Sequence, residues 1–241
     1  MSTPRTEIRP THLVRLAGSL LVGGFLVNLV VTLFHPSGQE DNHPVIFAKY
    51  AASDLWVAIH FGQFAGVLIA LAGLLVLCLV LDQRGGPGVL AKCAMGTTVA
   101  TAATWTVLQA VDGVTLKQAV DAWASASRSD KGVRFANAET VRWAEWGVQS
   151  YFRLLLGLTL LLVGAGIARS RIVPRWLGWT AMLAGLLYIV IGVAVGHSGL
   201  EQPGGLVIQL LFLIFMIGVL AAGVRGQRSH AGSEGATLSA Q

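Results

Sequence analysis

Long apolar stretches separated by short polar segments dominate the sequence. Crossing roughly 30 Å of hydrocarbon takes about 20 apolar residues in an α-helix. On that criterion we predict six membrane spans, at residues 13–34, 56–81, 90–111, 147–168, 176–196 and 205–224. The first stretch follows Arg5, Arg9 and Arg15, as the apolar region of a signal peptide would. It is too long for that and no small-residue cleavage site follows it, so we predict a retained helix.

Lysine and arginine are distributed unevenly between the two sides of these spans. The short connections and tails of one side contain Arg5, Arg9, Arg15, Arg84, Lys92, Arg169, Arg171, Arg175, Arg225 and Arg228. Basic residues in short loops are retained in the cytoplasm, so we expect this side and both termini to be cytoplasmic. Cys78 and Cys93 lie near the same side, which predicts free thiols rather than a disulfide.

Residues 112–146, between spans three and four, form the longest connection. Leu116, Val120 and Trp123 recur there at helical spacing among polar residues, which predicts an amphipathic helix on the extracytoplasmic surface. Five basic residues in this connection count little for orientation, because long connections follow the charge rule poorly. The expected fold is all-α: a cytoplasmic tail (1–12), a polytopic bundle of about six transmembrane helices (13–224, including 112–146) and a disordered cytoplasmic tail (225–241).

Composition agrees with a membrane protein. Charged residues make up 12% of the chain and apolar residues 54%, with a mean hydropathy of +0.66. A soluble domain would carry about a quarter charged residues. The net charge of +5 is spread over single basic residues and forms no run, so the sequence predicts no nucleic-acid partner.

Polar side chains inside the predicted spans are concentrated in their extracytoplasmic halves. The candidates for a ligand-binding pocket are His60, Gln63, Gln109, Asp112, Glu145, Gln149, Arg153 and His197. Glu145, Gln149 and Arg153 are spaced four apart and share one helical face. If such faces point into the bundle, the extracytoplasmic half contains a polar pocket above an apolar floor.

Each of these residues also has a structural interpretation. An arginine at this depth either pairs with a carboxylate, extends to the surface or binds a ligand, and Asp112, Glu145 and Glu201 are its candidate partners. The histidines can serve only as hydrogen-bonding residues near the membrane surface, and the glutamines as links between helices. Gly62 and Gly66, like Gly192 and Gly196, have the four-residue spacing of close helix contacts.

The sequence contains no motif that identifies a reaction. His35, Glu40, Asp41 and His43 in the first extracytoplasmic loop are metal-ligand types, but their spacing fits no recognised metal site. The nucleotide-binding and protease motifs are also missing. We therefore assign no catalytic residue, metal or cofactor, and favour binding over catalysis.

Two stretches resemble a known family. RSRIVPRWLGW at 169–179 and HPSGQEDNHPVIFAKYAASDLWVAIHFGQF at 35–64 are similar to uncharacterised multi-span membrane proteins of actinobacteria and related bacteria. The resemblance covers most of the chain outside the tails. It implies a plasma-membrane location and a bundle of about six helices, and it implies no activity.

Three functions are compatible with these features. The first is binding or transport of a small solute or ion in the outward-facing pocket, with Arg153 contacting an anionic group. A second is an accessory or structural role, in which the helix around Trp123 contacts a membrane protein partner or a second copy. The third is a redox protein with a metal or a b-type haem held by His60 and His197.

Overall fold

The computed structural model describes residues 10–83, 88–170 and 172–238, with side chains described as far as 226. The described part consists of helices and their connections, without a strand. The α-helices are α1 (Pro10–Thr32), α2 (His43–Ala51), α3 (Trp56–Gln83), α4 (Gly88–Ala110), α5 (Lys117–Ala124), α6 (Lys131–Arg169), α7 (Arg175–Ser198) and α8 (Gly205–Leu238). A π-helical segment, Val111–Leu116, joins α4 to α5 without a break.

Five helices in the described ranges have the length and composition to cross a membrane: α1, α3, α6, α7 and α8. The predicted third span corresponds to α4, which is long enough but more polar because threonines interrupt its apolar residues. The hydroxyls of Thr98, Thr101 and Thr104 donate to carbonyls four residues earlier, so α4 satisfies them internally. The bundle is therefore membrane-embedded, and the count of six spans stays a prediction.

Glycines set the closest helix contacts of the bundle. Gly24 of α1 faces Gly66 of α3, and Gly157 of α6 faces Gly185 of α7, each against the other's carbonyl oxygen. In lipid the hydrophobic effect does not drive helices together, so close packing of this kind holds them in contact. Both predicted glycine pairs lie at contacts: Gly62 and Gly66 against α1, and Gly192 and Gly196 against α6.

Gly24→Ala should destabilise the protein, because the added Cβ would lie 2.4 Å from the backbone nitrogen of Ala70. Overpacking of this kind costs about 1–3 kcal/mol. Gly23→Ala is a matched control, since nothing lies within 4 Å of its Cβ. The measurement is the unfolding temperature in detergent. Equal unfolding temperatures for the two variants would show that α1 and α3 are not in close contact.

One end of the bundle carries a cap, formed by residues 33–42, α2, residues 56–60 of α3, the π-helical segment, α5 and residues 131–146 of α6. Its core contains Phe47, Tyr50 and Trp56, which are at most 1% exposed. Trp123, predicted to lie on a surface helix, packs against Phe47 and Phe135. The apolar face of α5 therefore has a partner within the chain.

The sequence anticipated parts of this arrangement. α5 matches the predicted amphipathic helix, and α6 runs from the predicted polar break into the membrane. The cytoplasmic tail predicted at 1–12 lies mostly outside the described residues. For the tail predicted after 225, the structure describes a helical backbone as far as Leu238. Both cysteines are free, as predicted.

Candidate functional site

A group of buried charges lies in the cap. Arg142 of α6 is 1% exposed and donates from Nη1 to Glu145 Oε2 at 2.5 Å. Its Nη2 donates to the backbone oxygen of Glu40 at 3.1 Å and to Glu40 Oε2 at 3.0 Å. Tyr50 also donates to Glu40, and burial raises the pKa of this phenol, so it stays protonated. We refer to Glu40, Tyr50, Arg142 and Glu145 as the charge cluster.

A histidine–aspartate pair lies beside this cluster. His60 Nδ1 donates to the carbonyl of Trp56 at 2.8 Å, and Nε2 lies 3.1 Å from Asp112 Oδ2. The π-helical turn brings Asp112 here, and Trp56 Nε1 donates to the Asp112 carbonyl at 3.2 Å. Gly113 permits this approach, because a Cβ there would lie 2.6 Å from His60 Cβ. Single π-helical turns are frequent at functional sites.

Both nitrogens of His60 are thus in hydrogen bonds, which bears on the haem hypothesis. An imidazole needs a free nitrogen to ligate iron. His197, the other proposed ligand, is exposed near the end of α7. The described residues also hold no group of three or more His, Cys, Asp or Glu side chains that could bind a metal. The histidine pair therefore gives the haem hypothesis no support.

His35 gives the cap a pH dependence. Its ring lies 4.9 Å from that of Trp56 and 5.3 Å from that of His60, and burial lowers its pKa below the ordinary 6.5. As the pH falls, His35 therefore becomes protonated at a higher pH in the unfolded chain than in the folded protein. The stability that neutral His35 allows is present above about pH 6.5 and is lost below it.

We expect His35→Phe, which keeps an aromatic ring in place, to reduce the fall in unfolding temperature between about pH 7.5 and pH 5.5. Thermal unfolding of the two proteins at both pH values measures this. An unchanged fall in the variant would show that other groups cause the dependence.

A cavity of about 310 Å³ lies within the bundle on the cap side. Its walls come from α1, α3, α4, α6, α7 and α8, and most of its lining is apolar. The polar side chains that line it are Asn28, Gln149, Arg153, Tyr188, Gln202 and Gln209. Deeper along the helices the lining becomes apolar, with Leu71, Leu74 and Leu156. Of the eight residues predicted to form a polar pocket, Gln149 and Arg153 line this cavity.

Arg153 is the cation of this cavity. The Cβ of Arg153 packs against Gly192 of α7. A Cβ added at Gly192 would lie 3.1 Å from it. None of the three predicted carboxylate partners pairs with it: Asp112 bonds to His60, Glu145 to Arg142, and Glu201 is exposed. Among the described side chains, Arg153 makes no ion pair or hydrogen bond. Its side chain lines the cavity, where Tyr188 and Glu145 act on it electrostatically.

The connection between α7 and α8 forms the roof of the cavity. Leu200 and Gln202 line the cavity, and the carboxylate of Asp41 accepts from the backbone nitrogens of Leu200 at 2.8 Å and Glu201 at 3.3 Å. Asp41 lies next to Glu40 of the charge cluster. The cap thus holds the roof in place.

The eight predicted site residues divide between these places rather than forming one pocket. Gln149 and Arg153 line the cavity, whereas His60, Asp112 and Glu145 bond within the cap. The remaining three lie elsewhere: Gln109 is buried beside His60, Gln63 donates to Thr32 between α3 and α1, and His197 is exposed.

Sequence reasoning did not single out Arg142, which forms two of the buried ion pairs. It treated the basic residues of 112–146 only as evidence on orientation. The available signal was the three-residue spacing of Arg142 and Glu145, which places them on one helical face. The loop residues considered as metal ligands have other roles: Glu40 and Asp41 bond as above, and His43 bonds to Glu139 at 2.9 Å.

The long apolar helices, the glycine contacts and the buried charges define a multi-pass integral membrane protein. A family model described as "Domain of unknown function (DUF4386)" matches residues 16–225, so the chain belongs to that family. The match includes every described residue of the cavity and the cap. Searches of curated proteins and of solved structures find no match.

Proposed function

We propose that this protein binds a small molecule with an anionic group and an apolar part, in the cavity that Arg153 lines. The observation that carries the proposal is an arginine at the wall of a mostly apolar cavity that makes no ion pair or hydrogen bond with the described side chains, although Tyr188 and Glu145 act on it electrostatically. A charge in the membrane interior costs about 2.5–3.5 kcal/mol on insertion scales. Ionisable groups at this depth are therefore functional by default.

The lining supports a ligand of this chemistry. Guanidinium groups bind carboxylates and phosphates through two parallel hydrogen bonds. Tyr188, Gln149 and Gln209 add neutral donors and acceptors, and the floor of Leu71, Leu74 and Leu156 fits a hydrocarbon part. At about 310 Å³ the cavity is at the lower end of the range for small-molecule sites, which is about 300–1,000 Å³. A carboxylate or phosphate with a hydrocarbon part meets these conditions.

Thermal unfolding with four eight-carbon probes tests the proposal: octanoate, octyl phosphate, octanol and octylamine. We expect the two anions to raise the unfolding temperature of the wild type, and octanol and octylamine to have little effect. Arg153→Gln should remove the anion effect. Arg134→Gln is the matched control, because Arg134 is exposed on the same helix.

Two outcomes would contradict the proposal. Either neither anion stabilises the wild type, or Arg153→Gln keeps the full stabilisation. Equal stabilisation by octanol and the anions would show that the apolar part alone is recognised and would also count against a role for Arg153.

Extracytoplasmic orientation of the cap, the plasma-membrane location and transport of the bound molecule are further parts of this proposal. The distribution of basic residues supports the orientation. Labelling of a cysteine at exposed Ser129, in the connection between α5 and α6, with a membrane-impermeant maleimide in whole cells tests it. The control is a protein with both native cysteines replaced by serine. Labelling only after cell lysis would overturn the orientation.

A further inference from the structure

From the packing of α1 and α8 we propose that the cavity opens sideways to the lipid, and that its ligand is an anionic amphiphile with a long hydrocarbon chain. This inference rests on the proposed function and specifies the class and the route of the ligand. The chain of the amphiphile lies between the cap-side halves of α1 and α8, and its headgroup lies at Arg153.

α1 and α8 are in close contact only at the end far from the cap, as judged from the described glycines. A Cβ on Gly18 would lie 2.4 Å from the Cα of Leu220, and one on Gly223 would lie 2.5 Å from the backbone of Arg15. Gly24, further along α1, makes its contact with α3 instead. The glycine contacts that join the two helices therefore stop before the level of the cavity.

Along both contact faces the side chains become more exposed towards the cap, with Val22, Phe25 and Leu213 partly buried in between. Residues three and four apart share a face of a helix, so Leu29 lies on the same face of α1 as Gly18. Leu29 is 42% exposed. On α8, Met216 and Gln209 lie on the same face as Leu220. Met216 is buried, whereas Gln209, nearer the cap, is exposed and lines the cavity. Faces that pack together at one end are thus exposed at the other, which leaves a gap between the two helices.

The surface around this gap is apolar, so the gap faces hydrocarbon. On α1, Leu26 is 50% and Val30 54% exposed. On α8, Leu206 is 69% and Leu210 50% exposed. The aqueous side is covered by the roof, whose backbone Asp41 holds by two hydrogen bonds. Access through the side of the bundle is therefore easier than access from water.

The cavity wall arranges the two parts of such a ligand. Arg153 and Tyr188 form the polar part of the wall, and Phe25 of α1 and Phe212 of α8 line it beside the gap. An acyl chain lying between these rings would cover apolar surface that the protein leaves exposed. Its carboxylate or phosphate would bond to the guanidinium, within the apolar region where such a bond is least screened by water.

Photolabelling from the bilayer tests the inference. The protein is placed in nanodiscs containing palmitic acid with a diazirine in the part of its chain next to the carboxylate, irradiated and mapped by peptide mass spectrometry. We expect adducts on Phe25 or Leu29 of α1 and on Phe212 or Gln209 of α8, in excess of those on exposed Val190 of α7. Arg153→Gln should lower the gap adducts about tenfold and leave Val190 unchanged.

Two control variants keep the test decisive. Arg153→Lys preserves the charge and should preserve most gap labelling, and Arg134→Gln should preserve all of it. Gap labelling no stronger than that of Val190, or unaffected by Arg153→Gln, would overturn lateral access. If octanoate still stabilised the wild type through Arg153, the proposed function would survive that failure. If no anion bound, both proposals would fall together.

Discussion

Arg142→Gln should lower the free energy of unfolding by about 3–5 kcal/mol, which is the cost of leaving one member of a buried ion pair without its partner. Glu145 is 3% exposed and accepts its short hydrogen bond from Arg142. Glu40 would lose its contacts with the guanidinium as well. The variant therefore loosens α6 from the loop between α1 and α2. Unfolding in mixed micelles, followed by tryptophan fluorescence, measures the loss.

The matched control is Arg134→Gln on the same helix, which should change the free energy of unfolding by less than about 0.5 kcal/mol. Replacing Arg142 and Glu145 together with leucine should cost less than Arg142→Gln, because the buried Glu145 charge is removed with its partner and only the partly exposed Glu40 loses its arginine. A loss below about 1 kcal/mol for Arg142→Gln would show that water reaches the charge cluster and screens it.

Arg153→Leu should have the opposite sign and raise the stability of the ligand-free protein by about 1–3 kcal/mol. The side chain has no bonding partner among the described residues, so its removal relieves the cost of a charge beside an apolar cavity. Residues that serve function commonly leave a protein with a lower free energy of unfolding than it could have. The measurement is the free energy of unfolding after bound lipid has been exchanged for a neutral detergent.

Arg153→Leu also separates a binding role from a structural one. A structural arginine would pair with protein atoms, and its loss would destabilise the fold. Arg175, exposed at the first position of α7, supplies the control, since Arg175→Leu should leave stability nearly unchanged. Clear destabilisation by Arg153→Leu would show that this guanidinium supports the bundle.

Helical periodicity accounted for which residues share a face but not for what that face contacts. Gln149 and Arg153 lie one turn apart and line the same cavity, as their spacing indicated. Glu145, one further turn away, belongs to the charge cluster because Arg142 and Glu40 are there to pair with it. That division depends on the loop after α1 reaching α6, a contact across about a hundred residues that no local pattern encodes.

Two local features were also hard to read from the sequence. α2 begins at His43 with a proline at its first turn, and Ile46, Phe47 and Tyr50 form its buried face, yet the surrounding polar residues favoured a loop. Asp112 and Gly113 resembled the end of a span, whereas the chain continues through a π-helical turn. Within that turn Asp112 lies 3.1 Å from His60 Nε2, an interaction that only the assembled fold reveals.

The dissociation constant of octyl phosphate, measured for wild type, Arg153→Lys and Arg153→Leu in the same nanodiscs, tests the central claim most directly. A charge-assisted hydrogen bond contributes about 1.5–3 kcal/mol, so Arg153→Leu should weaken binding about 10–100-fold. Arg153→Lys should fall between the two, because an ammonium keeps the charge and loses the paired geometry. Equal dissociation constants for all three proteins would contradict a site built on Arg153.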